Sequence, residues 1–468
     1  MTSINKLSVG PIVGHVDEKT ARIFGRSDHQ ALENGQPRRT FGVARIRKAG
    51  NSFRSPSVFK MNPNFDMTGI AVFQDLEPDT KYVYQIGWFF SDKELDEFKA
   101  STKWDWKDAD QGEFQTASND SQAPKQFVFG SCRYLLRLFG GSWFDNRGDK
   151  TFRSILNQIK SGHSVDKFLM LGDQIYADDL KSIGADVDVQ DYCARYRDAF
   201  TQEHIKKLMS SVPTYMTLDD HEIEDNWPSR ASSKDLVTKY PAAMFSYQIY
   251  QMSHSPLLSI GENGKLFGKP GCYYYAFQDG CCDFFVTDTR TERSPEEREI
   301  IGEKQMNALL GWLTNGSGRV KFVATSVPFF PDLKKHNDDK WSGYKQQRDQ
   351  IINCIRDNNV QKVVFLAGDV HCSMAAELNI AEHGTAPLNI YSIISSAFFW
   401  PIIHMQKRQF VLTGSVASAA DNNAYQLGAV SDVYSGDNFT RVKVSQERLE
   451  IRVYERKGIL ESTMTFDF

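Results

Sequence analysis

Four short stretches of this sequence concentrate the side chains that hold metal ions and move protons: Ser131-Cys132-Arg133-Tyr134, Gly172-Asp173-Gln174-Ile175-Tyr176-Ala177-Asp178-Asp179, Asp219-Asp220-His221-Glu222 and Gly368-Asp369-Val370-His371. Carboxylate, imidazole, thiolate and phenolate are the donors that coordinate cations, and histidine adds proton transfer near neutral pH. Taken singly, each residue has an ordinary reading. Asp173 after an apolar run reads equally as a helix N-cap or turn residue. Cys132 reads as a buried thiol and Tyr176 as a packed aromatic, and His221 or His371 could each be a hydrogen-bonded structural histidine. Four such clusters, each directly after an apolar run, are a different matter. A dense group of carboxylates repels itself and raises its own pKa values unless something positive neutralises it. Two metal ions would do so, and the chemistry they offer is hydrolysis by an acidified water.

The elements that must position these clusters are legible around them. Phe127 to Gly130, Lys167 to Leu171, Thr214 to Leu218, Phe284 to Thr287, Lys321 to Thr325 and Val363 to Leu366 are short, rich in β-branched and aromatic residues, and bounded by Gly, Asp or Ser, which reads as buried strands. Thr151 to Ile159, Val189 to Met209, Gly302 to Leu313 and Trp341 to Arg356 read as helices between them. The result is an α/β class with a layered catalytic domain, and open α/β sheets place their sites beyond the carboxyl ends of strands. Thr440 to Val444 and Leu449 to Glu455 alternate around a polar turn and predict a terminal hairpin.

Ahead of this pattern, residues 1–118 read as β throughout, with alternating runs such as Thr20 to Phe24 and Gly69 to Phe73. Leu76-Glu77-Pro78-Asp79-Thr80-Lys81-Tyr82 is similar to the corner-tyrosine signature of fibronectin-like sandwiches. An N-terminal all-β immunoglobulin- or fibronectin-like domain over 1–118 and a catalytic domain over 126–468 are therefore expected, joined by the polar stretch Thr116 to Lys125. A chain of 468 residues exceeds what one core usually serves.

Composition narrows the field. The formal net charge is -4 without basic runs, which argues against a duplex nucleic-acid partner. No apolar run approaches the roughly 20 residues of a membrane span, and Met1 to Gly10 carries no export-signal pattern. The expected location is cytoplasmic, or periplasmic or secreted had a signal been removed. Seven scattered cysteines without a CxxC pair do not form a disulfide framework or a finger-type zinc site.

Phe129-Gly130-Ser131-Cys132-Arg133-Tyr134, Leu171-Gly172-Asp173-Gln174-Ile175-Tyr176, Leu218-Asp219-Asp220-His221-Glu222 and Ala367-Gly368-Asp369-Val370-His371 resemble, in order and spacing, the motifs of the PhoD-like alkaline phosphatase family. Asp288-Thr289-Arg290 and Asp339 to Tyr344 extend the resemblance over most of the chain, as does an N-terminal sandwich. The resemblance implies a calcineurin-like metallophosphatase domain, a β-sandwich core flanked by helices, and hydrolysis of phosphoric monoesters or diesters.

It also implies roles. Asp173 would bridge two metals; the first would be held by Cys132, Asp173, Tyr176 and His371, and the second by Asp173, Asp220 and Asp369. Thiolate and phenolate together suit iron(III), and an all-carboxylate set suits a hard divalent ion; the family implies calcium, with zinc, manganese or magnesium as alternatives. His221 would protonate the leaving alcohol. Arg133, next to a ligand, would contact the phosphate with its guanidinium fork, unless it is a surface or ion-paired arginine. Arg290 and the Trp341 to Tyr344 loop are weaker substrate contacts. The expected partner is a small phosphorylated substrate or a phosphodiester. The rivals are a phosphodiesterase for nucleotide, lipid or polymer diesters and, from another class, a metal-stabilised binding module without catalysis.

Overall fold

The computed structural model describes the whole chain except residues 29–38, 100, 139–142, 179–185, 262–263, 336–337 and 383. The first 118 residues hold two antiparallel sheets. One is ordered β1-β2-β5, from Val9–Val16 (β1), Ala21–Arg26 (β2) and Thr68–Phe73 (β5); the other is ordered β4-β3-β6-β7, from Arg39–Lys48 (β3), Ser57–Lys60 (β4), Lys81–Ser91 (β6) and Asp110–Gln115 (β7). The period-two pattern does the sorting: Tyr82, Tyr84, Ile86 and Trp88 all point inward from β6. Val13, Ile23 and Ala71 of the first sheet meet Ile46, Tyr82 and Ile86 of the second in one core. The corner tyrosine is present, with the Glu77 backbone N–H donating to the Tyr82 hydroxyl at 3.0 Å.

This sandwich packs against the rest of the chain. Val9, Ile12 and Phe24 belong to the largest core of the protein. The Tyr84 hydroxyl donates to the Ser210 carbonyl at 2.7 Å, and Arg22 donates to the Leu258 carbonyl at the same distance. The polar stretch after the sandwich is tied down too, because the Ser118 N–H donates to Asp279 at 2.8 Å and Lys125 pairs with the same carboxylate.

Downstream, two mixed sheets face each other. Lys125–Gly130 (β8), Lys167–Leu171 (β9) and Thr214–Thr217 (β10) run parallel, and β8 pairs antiparallel with Asn438–Val444 (β19), followed by Arg448–Glu455 (β20) and Leu460–Asp467 (β21). The order is β10-β9-β8-β19-β20-β21. The opposing sheet has eight strands, Tyr275–Asp279 (β11), Cys282–Val286 (β12), Val320–Ala324 (β13), Val363–Ala367 (β14), Met374–Asn379 (β15), Asn389–Ile394 (β16), Ser415–Val416 (β17) and Tyr425–Val430 (β18), ordered β11-β12-β13-β14-β16-β15-β18-β17.

Strands buried on both faces read as unbroken apolar runs, and β9, β12, β13 and β14 are buried at every residue. Phe127 meets Phe284 and Phe322 across the gap at 5.4 and 5.1 Å between ring centroids. Helices cover the outer faces. Asp149–Lys160 (α1) sets Phe152 against Phe168 of β9, and Val189–Phe200 (α2), Glu203–Met209 (α3) and Lys239–Tyr247 (α4) add to the same core. Glu303–Leu313 (α5) and Lys345–Asp357 (α6) pack Leu309, Ile351 and Ile355 on Phe285, Val323 and Phe365.

The layered α/β expectation holds, with local differences. The stretch Val189 to Met209 forms two helices, because α2 ends where Thr201 bonds its hydroxyl back to the Arg197 carbonyl at 2.7 Å. Trp341 opens a short 3-10 turn before α6 instead of starting that helix, and the terminal hairpin gains β21 as a third strand. Among the described residues no helix is long and apolar enough to cross a membrane.

Candidate metal centre

The carboxyl ends of β8, β9, β10 and β14 converge, and the chain turns sharply just after each. Cys132, Asp173, Asp369 and His371 all sit in the left-handed region, with φ of 55°, 56°, 68° and 47°. Such a conformation costs a non-glycine residue about 1 kcal/mol or more, and strain of this kind gathers where side chains must be aimed. Gly172 adopts φ +99°, and a Cβ there would collide with the Asp219 side chain. The loops are then lashed together. Cys132 and Arg133 N–H groups donate to the Gly172 and Asp173 carbonyls at 3.1 and 2.9 Å. The buried Glu222 carboxylate accepts from the N–H groups of Asp173, Gln174 and Asp219 at 3.0, 2.7 and 2.8 Å. Burial raises its pKa to about 7 against those bonds.

Three donor groups result, each with its atoms within 4.8 Å of one another: Cys132, Asp173 and His371; Asp173, Asp220 and His221; and Asp219, Asp220 and Asp369. Asp173 is common to the first two and Asp220 to the last two. The Tyr176 hydroxyl donates to Asp173 Oδ2 at 3.1 Å, beside the first group. All six residues expected as ligands therefore meet at one place. Asp219, not expected there, is also claimed by Ser326 at 2.8 Å and by Arg290.

His221 Nδ1 lies 2.9 Å from Asp178 Oδ1, and this carboxylate also accepts the Asp225 N–H at 3.0 Å. Asp178 thus fixes the ring through Nδ1, and Nε2 is the nitrogen left over from that contact. The sequence placed Asp178 in the right cluster without a role, because its partner is 43 residues away. Asp179 lies outside the described residues.

Arg133 does not join the site. Its guanidinium is buried, donates to the Ala199 carbonyl at 2.7 Å and lies 5.2 Å from the Phe152 ring centroid, under α1 and α2. The left-handed turn at Cys132 sets Cys132 among the donors while Arg133 packs into the core against Ala199 and Phe152. Arg290 and the Trp341 to Tyr344 loop are supports as well. Arg290 is fully buried, reaching Asp219 at 2.5 Å and Asp339 at 2.6 Å with Asp220 at 3.6 Å. Trp341 donates its indole N–H to Thr325 Oγ1 at 3.1 Å. Lys340 pairs with both Asp339 and Asp369.

A cavity of about 360 Å³ opens over the donors, lined in part by Asp173, Asp220, His221, Asp369, His371 and Trp400. Among its described lining residues there is no lysine or arginine. Burial pushes the Asp173 carboxyl well above the usual range and Asp369 to about 7. It likewise pushes up the Cys132 thiol and the Tyr176 phenol, with Asp173 adding to both. The His371 imidazole is held down at about 3, first by burial and then by His221, so it is a neutral donor. These groups can be ionised together only around bound cations. The donor set therefore fits more than one metal ion.

Two face-to-face mixed sheets between helical layers, with donor loops at converging strand ends, define the calcineurin-like metallophosphatase fold. Consistent with this, a solved structure of PhoD superimposes with a TM-score of 0.73 at 17% identity, covering 98% of this chain and 90% of that one. The purple acid phosphatase from yellow lupin (Lupinus luteus) seeds does so with a TM-score of 0.61 at 11% identity, covering 98% of this chain and 74% of that one. In sequence, alkaline phosphatase D of Bacillus subtilis (strain 168) is 28% identical over 222 residues, 42% of this chain. The match spans 37% of the length of that relative. The PhoD-like phosphatase profile matches residues 136–449, and the chain belongs to that family.

Proposed function

We propose that this protein hydrolyses phosphoric esters at a dinuclear metal centre. The observation that carries the reading is the sharing of Asp173 between two donor groups, beside a histidine held from behind by Asp178. Bound there, the cations would supply Lewis-acid stabilisation of phosphoryl charge and acidify water. The protein's own residues do the rest. Asp173, Asp220 and Asp369 would hold the ions, and a cavity whose described lining residues include no lysine or arginine would leave phosphate charge to them. Burial works to lower the His221 pKa, but Asp220, Asp173 and Asp178 outweigh it and raise it well above the usual value. With cations taking up the charge of Asp220 and Asp173, Asp178 at 2.9 Å from Nδ1 is left to favour the protonated ring, which would donate to the departing oxygen from Nε2.

Cys132 and Tyr176 beside Asp173 and His371 suit iron(III), and the carboxylates of Asp173, Asp220 and Asp369 suit calcium. A small phosphorylated molecule is the matching substrate. Elemental analysis and turnover on paired monoesters and diesters test the proposal, with Asp173→Asn as the decisive variant. Asp173→Asn should lose both metals and nearly all turnover. Metal-loaded wild type inert toward both ester types would favour a binding module, and near wild-type activity in Asp173→Asn would remove the dinuclear assignment.

A further inference from the structure

The loop after β16 brings a different chemistry to the mouth of the cavity. The segment Trp400-Pro401-Ile402-Ile403-His404-Met405 is pinned at both ends. The Trp400 N–H donates to Asp437 Oδ1 at 2.9 Å, His404 Nδ1 donates to the His371 carbonyl at 2.9 Å, and Ser435 Oγ donates to the Met405 carbonyl at 2.6 Å. Between these pins Ile402 is 54% exposed and Ile403 84%. Trp400 stacks on His371 with ring centroids 3.9 Å apart and stands 5.7 Å from the Tyr176 ring. Trp400 and Ile402 both line the cavity that holds the donors, whereas the lining residues Asp225 and Asn226 are polar.

Scattered exposed apolar residues are common on soluble proteins. Here, however, Ile402 lines the same cavity as the ring stacked on a metal-ligand candidate and Ile403 follows it in the chain, on a loop hydrogen-bonded at both ends. An apolar strip held in place beside a reaction site is preorganised to bind an apolar group.

We propose that Trp400, Ile402 and Ile403 form the leaving-group subsite, and that the substrate is a phosphoric ester of an apolar alcohol. This rests on the hydrolytic reading of the centre. The reaction balances without a co-reactant: water adds to phosphorus, the bond from phosphorus to the alcohol oxygen breaks, and the alcohol leaves with one proton. The alkyl part gains from leaving water against the strip, while a small or polar alcohol gains nothing there.

Hexyl and ethyl phosphate test this, because their leaving oxygens are alike in basicity and both are monomeric in solution. With the metal-loaded full chain, kcat/KM for the hexyl ester should exceed that for the ethyl ester by about tenfold, as expected from burying part of the longer chain. In the Ile402→Ser/Ile403→Ser double variant the ratio should collapse to about two, through KM more than kcat, with metal content retained. A ratio near one in the wild type, or an unchanged ratio in the variant, overturns the subsite. A purely structural role for the loop would lower both esters alike and also overturns it. Calorimetric binding of hexylphosphonate against ethylphosphonate decides the subsite independently of turnover. If neither ester is hydrolysed, the hydrolytic reading fails, and the same preference or its absence still settles whether the strip selects apolar groups.

Discussion

Arg290 and Asp219 form an ion pair with no access to solvent, Nε lying 2.5 Å from Oδ1 with side-chain exposures of 0% and 1%. The same guanidinium reaches Asp339 at 2.6 Å and lies 3.6 Å from Asp220. Burial would raise the Asp220 carboxyl, but Arg290 and then His221 hold it below the ordinary range. Asp220 is thus kept ionised, as a metal ligand would have to be, by a residue that is not among those lining the cavity.

Removing one member of a buried pair strands the other, at a cost of about 3 to 5 kcal/mol. Arg290→Ala should therefore lower stability by an amount of that order and weaken metal retention. Arg290→Lys should restore little, since one ammonium cannot serve two carboxylates as a fork does. Denaturant unfolding with parallel metal analysis checks this; an unchanged midpoint in Arg290→Ala would contradict the bracing role.

His221 and Asp178 should act as a unit. His221→Ala is expected to reduce turnover about a hundredfold or more on alkyl esters, the low end of general-acid contributions, and far less on nitrophenyl esters, which leave without a proton. Asp178→Asn should follow the same pattern more weakly and shift the basic limb of the pH profile downward, because Asp178 is one of the groups that raise the His221 pKa. Equal losses on both esters with metal retained would count against proton donation.

Tyr176 lies with its hydroxyl 3.1 Å from Asp173 Oδ2. If the first site takes iron(III), the loaded protein should show a visible charge-transfer band that Tyr176→Phe abolishes while Cys132 and His371 keep the iron. A colourless, iron-free protein fully active with zinc or manganese would exclude that metal assignment.

Asp279 gives a stability prediction with a definite sign. Burial works to raise its pKa, but Lys167 and Lys125 outweigh it and hold the folded value below the ordinary one. A depressed folded pKa contributes stability that is present above the unfolded value, about 3.9, and is lost as pH falls through the folded value. The stability gap between wild type and Asp279→Asn should therefore be constant from pH 8 to 5 and shrink below about pH 4. Unfolding curves across that range measure it, and a gap that widens in acid would reverse the sign.

Much of this was visible in the chain alone. Lys167 to Leu171 matches its observed strand end for end, and the strands before Cys132, Asp220 and Asp369 lie within two residues of their expected limits. Short strands buried on both faces must be apolar and short, and the polar residues after them must stand at the sheet's edge. That local rule was enough to place the four clusters at the strand ends without coordinates, and the family resemblance chose the six expected ligands within them.

Side-chain direction and distant partners were not legible. Cys132 and Arg133 are neighbours at one strand end, yet Cys132 joins the donors while Arg133 is buried against Phe152 and Ala199. The left-handed turn at Cys132 and the packing of α1 and α2 decide between them. Arg290 resembled a substrate contact until Asp219 and Asp339, 71 and 49 residues away, closed around it. The sandwich read as a separate unit because its alternation is local, but Phe24 and Ile12 complete the core of the following domain. Residue type and strand period are properties of short stretches, so the sequence alone determined which groups could meet at the strand ends. Which way each side chain points, and which carboxylate is braced, depends on contacts between segments far apart in the chain, and only the tertiary structure decided that.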